Sequence, residues 1–145
     1  MLLSVHVVTG AAVAVVIRDP TLIPPLCFAT HLVMDMLPHW NFPIPKGKSL
    51  GQFVESFGPD LFATILVYLG LLLWHPELWW LTSWGVFWTV LPDFLTLFRK
   101  DKPWRLWLRG YYKLHNALQT EVQPSIGLIM QAFVVFICII ILRSA

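Results

Sequence analysis

Charge is what this chain has least of. Only 12% of its 145 residues are Asp, Glu, Lys or Arg, about half the fraction of an ordinary soluble domain. That shortage argues against a water-exposed globular surface. The net charge is +2, and no basic tract of the nucleic-acid-binding kind occurs, so no nucleic-acid partner is expected. The two cysteines, Cys27 and Cys138, are too few for a disulfide framework. Both lie in apolar runs, where a thiol is buried and inert, and no disulfide is inferred. Internal repeats and low-complexity segments are absent. The opening Met1-Leu-Leu-Ser-Val-His6 has no basic leader and no clear small-residue cleavage site, so a removable signal peptide is not expected.

Apolar residues are abundant: 57% of the chain is hydrophobic, with eight tryptophans. Tryptophan suits a membrane interface, where one ring edge can stay wet. The expectation is an all-α integral membrane protein, a single multi-span domain over residues 1–145 and too short for two. Five apolar segments stand out, at about Leu2–Ile17, Leu22–Leu37, Asp60–Trp74, Leu78–Phe98 and Ser125–Leu142. At about 1.5 Å per residue the first three are short for a hydrocarbon core of roughly 30 Å. The first two could instead form a re-entrant hairpin buried in protein. That hairpin would draw Arg18 and Asp19 into the membrane, so five spans are preferred.

Basic residues set the orientation. Lys46, Lys48, Arg99, Lys100, Lys102, Arg105, Arg109 and Lys113 fall on the side of the N-terminus, and only Arg18 and Arg143 on the other. Positive charge marks the cytoplasmic side, which places the N-terminus inside. Within Arg99–Gln123, Trp104, Trp107, Leu108, Tyr111, Tyr112 and Leu114 interleave with Arg105, Arg109 and Lys113. Such a mixture reads as an interfacial amphipathic segment lying in the headgroup layer. Its ordinary role is a positive-inside anchor. A functional role would be attraction for anionic headgroups or a phosphorylated substrate.

The most informative stretch is His31-Leu-Val-Met-Asp35-Met-Leu-Pro38-His39. Residues four apart share a helix face, and imidazole with carboxylate on one face is a common way to present metal ligands. A carboxylate in a membrane segment is costly and marks a functional position by default. The five-span topology brings further polar residues to the same inside face. His6 lies near the inside end of the first span, Asp60 at the start of the third, Asp93 toward the end of the fourth, and His115 and Glu121 in the interfacial segment.

Each has a plain alternative. His6 could be a hydrogen-bonded packing histidine, and His39, after Pro38, could be interfacial. Asp60, after Gly58-Pro59, could simply favour a helix N-terminus through the dipole. Asp93 follows Pro92, whose missing N–H frees a backbone carbonyl; a carboxylate beside such a break is placed to bind a cation. His115 could be a surface histidine, and Glu121 a solvated one. His75 and Glu77 read as an ordinary turn on the outer side.

The chemistry that fits is metal-assisted hydrolysis. The candidate metal ligands are His6, His31, Asp35, His39, Asp60 and Asp93, with His115 and Glu121 as candidate general acid or base. His115 is also a candidate further ligand. More groups are present than one open tetrahedral zinc site needs, which allows one or two divalent ions. Imidazole with carboxylate suits zinc, manganese or iron better than calcium, with zinc or manganese favoured. The expected substrate is a lipid or lipid-linked ester, plausibly a phosphoester, met at headgroup depth beside basic residues. Two other classes remain open. One is a small oligomeric proton or cation transporter built from intramembrane Asp and His. The other is a non-enzymatic membrane subunit with a structural metal site.

The 31–39 stretch, His6 followed by Thr9-Gly10-Ala11-Ala12, and Leu91-Pro92-Asp93 together resemble the YdjM-like inner-membrane proteins, described as membrane-bound metal-dependent hydrolases. The resemblance implies metal ligands at His31, Asp35 and Asp93, joined by His6, in a bacterial or archaeal cytoplasmic membrane. Where that family often carries a His-Arg-x-x-Thr-His element after Pro-Asp, this chain has Lys113-Leu114-His115-Asn116.

Overall fold

The computed structural model describes residues 1–42, 50–97 and 106–145. The described residues form six α-helices: α1 (Leu3–Ile17), α2 (Ile23–Met36), α3 (Leu50–Trp74), α4 (Trp79–Leu97), α5 (Leu106–Leu118) and α6 (Pro124–Ser144). A single 3-10 turn at Pro76–Leu78 leads into α4. Lys46, Lys48, Arg99, Lys100, Lys102, Trp104 and Arg105 lie outside the described residues.

The α1 helix is apolar all round, which suits a helix buried on every side. It packs against α2, α3, α4 and α6, and Val5, Val7, Val8, Ala11, Ala12, Ala14 and Val15 are buried. Its small residues let α4 come very close. A Cβ on Gly85 of α4 would strike the Gly10 carbonyl oxygen and stand 2.7 Å from the Ala14 Cβ. Small residues spaced by four are the usual means of bringing helix backbones together in a membrane.

The turn after α1 is set locally. Arg18 takes a left-handed conformation (φ 52°) and its N–H bonds back to the Ala14 carbonyl, closing the helix. The Asp19 carboxylate accepts from the Thr21 N–H and hydroxyl at 2.8 and 2.7 Å. Pro24 and Pro25 then sit in the first turn of α2, where a missing N–H costs nothing. Leu37, held extended by Pro38, ends that helix.

The third segment begins ten residues earlier than Asp60: α3 starts at Leu50 and runs through Gly58-Pro59 without ending. Proline removes the bond to the carbonyl four residues back and crowds it, here that of the exposed Glu55. The other boundaries lie within two residues of the sequence reading.

Much of the outer surface is apolar. Phe62, Leu66, Leu69 and Leu73 of α3, Ile129, Phe133, Phe136 and Ile140 of α6, and Trp79, Trp80 and Phe87 of α4 are all exposed. Two 21-residue stretches, Val54–Trp74 and Pro124–Ser144, are long and apolar enough to cross a bilayer. On the inner side of α6, Gly127, Gln131, Val134, Cys138 and Leu142 are buried at intervals of three and four. Gln131 completes the backbone bonding there: its Oε1 accepts from Leu2 N–H at 2.9 Å, and its amide donates to the Trp40 carbonyl at 3.0 Å. Both cysteines are free and buried.

Candidate metal centre

The antiparallel turn between α1 and α2 brings the start of α1 beside the end of α2. The second half of α4 joins them, so His6, His31, Asp35 and Asp93 meet at one end of the bundle. His115 arrives by backbone bonding. Thr120 N–H donates to the Asp35 carbonyl, His39 N–H to the Thr120 carbonyl, and Val122 N–H to the His39 carbonyl, at 2.9–3.0 Å. These bonds strap the end of α5 to the end of α2, while the Tyr112 hydroxyl donates to the Leu95 carbonyl at 3.0 Å. The α5 helix therefore covers the site, burying His115 and exposing Arg109 and Lys113.

Ligand atoms of His31, Asp35, Asp93 and His115 all lie within 4.8 Å of one another. His31 Nε2 is 3.2 Å from Asp35 Oδ2, 3.7 Å from Asp93 Oδ1 and 3.1 Å from His115 Nε2. His115 Nε2 is 3.3 Å from Asp35 Oδ2 and 3.5 Å from Asp93 Oδ1. Four ligands at about 2.1 Å from a tetrahedral ion stand about 3.4 Å apart. Five of the six edges of the group, at 3.1–3.7 Å, thus match those of a tetrahedral metal site.

The surroundings prepare these ligands. The Thr89 carbonyl can only accept, so His31 Nδ1–H donates to it at 2.7 Å, which leaves Nε2 of the neutral ring unprotonated and facing the carboxylates. Gln119 lies 3.5 Å from both Asp35 Oδ2 and His115 Nδ1. Burial alone would lower the His115 pKa, but the carboxylates of Asp35 and Asp93 outweigh it and raise it to about 9.

His6 lies beside His31 and meets the other oxygen of each carboxylate. Its Nε2 is 3.2 Å from Asp35 Oδ1 and 3.8 Å from Asp93 Oδ2. The ring is fully buried, and neither nitrogen makes an aligned hydrogen bond. It stacks on His31 with centroids 4.0 Å apart. The Met1 amino group also contacts Asp35 Oδ1, at 2.7 Å.

The other candidates stand elsewhere. Asp60 accepts from Leu3 N–H at 2.7 Å and from the N–H and hydroxyl of Ser4 at 3.2 and 3.0 Å. It caps the first turn of α1 from a different helix. His39 is buried, donates from Nδ1 to the Leu37 carbonyl at 2.8 Å, and lies outside the four-residue group. Burial lowers its pKa. Glu121 is exposed and accepts from the Asn41 amide at 3.2 Å. His75 bonds the Leu142 carbonyl at the far end of the bundle.

Thr89, Gln119 and Tyr111 were not singled out from sequence for this site. Tyr111 packs its ring 5.6 Å from that of His115. Its hydroxyl is buried without a partner, and burial, with Asp93 and Asp35 nearby, raises its pKa. Comparison of the chain with known protein families, curated proteins and solved structures gives no match.

Proposed function

We propose that this protein is a membrane-embedded, metal-dependent hydrolase of the YdjM-like kind, acting at the cytoplasmic face on a lipid-linked phosphoester. The observation that carries the reading is the convergence of His31, Asp35, Asp93 and His115, with ligand atoms within 4.8 Å of one another, in a largely apolar bundle. In this reading α1, α2, α3, α4 and α6 cross the bilayer, α5 lies at the inner interface, and the N-terminus is cytoplasmic.

The donor set fits zinc or manganese. A bound divalent ion supplies Lewis acidity and lowers the pKa of a water molecule. The chain's residues do the rest. His31, oriented by Thr89, and His115, carried in on α5, hold their positions with Asp35 and Asp93. Access is over Asp93, whose side chain keeps 28% of its surface exposed while those of His31 and His115 keep 0% and 2%. Arg109 and Lys113, exposed on α5, would attract an anionic headgroup. The Tyr111 hydroxyl, buried without a partner on the helix that carries His115, is a candidate donor to a bound phosphoryl oxygen. His115 serves as a ligand rather than a general base, and Glu121, turned to Asn41, takes no part.

One observation favours a second reading. Four protein ligands can close a tetrahedral zinc site, which is the pattern of a structural ion. Elemental mass spectrometry on protein purified without chelators should find stoichiometric zinc or manganese, lost in Asp35→Ala while the variant still inserts. Release of phosphate from lipid phosphomonoesters in mixed micelles, also lost in Asp35→Ala, is the expected activity. Metal without hydrolysis would support the structural reading, and no metal in the wild type would end both.

A further inference from the structure

We propose a second cation position on the His6 side of the site, formed by His6 Nε2, Asp35 Oδ1 and Asp93 Oδ2. It rests on the metal reading above and adds the ion at which substrate would bind. Asp35 and Asp93 each present two oxygens in two directions. Asp35 Oδ2 and Asp93 Oδ1 face His31 and His115 at 3.2–3.7 Å. The opposite oxygens, Asp35 Oδ1 and Asp93 Oδ2, face His6 at 3.2 and 3.8 Å. A carboxylate that gives one oxygen to each of two ions holds them about 3.5–4 Å apart, the spacing of two-metal hydrolytic sites.

His6 provides an independent reason. Its ring is fully buried, yet neither Nδ1 nor Nε2 has an aligned hydrogen-bond partner. A buried polar atom without a partner is costly, and a cation would give Nε2 a partner. The ring is stacked on His31 with planes only 21° apart, so both imidazoles offer Nε2 to the same pair of carboxylates. The Met1 amino group, 2.7 Å from Asp35 Oδ1, competes for that oxygen and has to move aside when an ion binds.

The two positions differ in what they leave open. The His31–His115 position has four protein donors, whereas the His6 position has three. Three protein ligands with a vacant position are the pattern of a catalytic ion. Two divalent ions against two carboxylates also leave excess positive charge. An anionic ligand such as a phosphoester would balance it, which ties the second position to the substrate class.

The test uses the full chain in detergent, loaded with Mn²⁺ and freed of excess by gel filtration. Elemental mass spectrometry should give two manganese ions per chain, with an exchange-coupled electron paramagnetic resonance signal. His6→Ala, and the more conservative His6→Asn, should give one ion and an isolated Mn²⁺ signal. One ion in the wild type overturns the second position and leaves the first intact. Two ions retained in a folded His6 variant overturn the assignment to His6. No ion in the wild type overturns the metal reading itself. The wild-type count decides even if neither variant folds.

Discussion

The Thr89 carbonyl accepts a 2.7 Å hydrogen bond from Nδ1 of His31, across the packed faces of α2 and α4. This one bond joins fold to chemistry. Pro92 frees the carbonyl of Trp88, one residue earlier; the Thr89 carbonyl has two lone pairs and can serve the His31 side chain as well as its helix. Holding Nδ1 as the donor makes Nε2 the ligand atom. His31→Ala should therefore reduce metal affinity by at least about 100-fold, more than loss of an outer-shell partner alone. Isothermal titration with Zn²⁺ measures this, and an affinity within a few-fold of wild type would remove His31 from the ligand set.

The Gly10–Gly85 approach carries both sides of the site. His6 rides on α1 one turn before Gly10, and Asp93 on α4 two turns after Gly85. A methyl group at Gly85 meets the Gly10 backbone oxygen, which no rotamer change can relieve. Gly85→Ala should push the helices apart at a cost of about 1–3 kcal/mol. The thermal midpoint in detergent should fall, and the metal content with it. Gly110→Ala is the control, because nothing lies within 4 Å of a Cβ built there. Equal midpoints for the two variants would contradict the close packing.

Part of this site is readable in the sequence. His31 and Asp35 are one helical turn apart, so helix geometry alone puts them together. Asp93 and His6 were legible as polar residues that an apolar span does not carry without reason. His115 was legible as a candidate but not firmly as a ligand, because what brings it in is a set of backbone bonds linking residues 120 and 122 to residues 35 and 39. Backbone bonds have no residue-type signature. The same holds for Asp60, whose partners Leu3 and Ser4 are 57 and 56 residues away in sequence. Gly58-Pro59 looked like a helix start, yet α3 continues through it.

Protons should compete with metal at His115. Its raised pKa, about 9, keeps the metal-free imidazole charged at neutral pH. A metal needs the neutral ring, so binding must expel that proton. Apparent affinity should rise about tenfold per pH unit from pH 7 toward 9 and then level off. Without metal the sign is opposite for stability. The ion pairs to Asp35 and Asp93 contribute fully below the unfolded histidine value of about 6.5, and are lost as pH rises through about 9. His115→Gln should flatten both profiles. A wild-type metal affinity that does not change between pH 7 and 9 would count against His115 as a ligand.

Asp60 offers the sharpest separation of structural from metal-binding carboxylates. Its oxygens are taken by the Leu3 N–H and by the N–H and hydroxyl of Ser4, in the first turn of α1. It also places negative charge at the positive end of that helix. Removing a capping side chain costs about 0.5–2 kcal/mol, so Asp60→Ala should lower the unfolding midpoint. Asp60→Asn, which keeps one acceptor oxygen, should lower it less. Neither should change the number of ions bound per folded chain, whereas Asp35→Ala should abolish binding. A folded Asp60→Ala protein without its metal would return Asp60 to the ligand set.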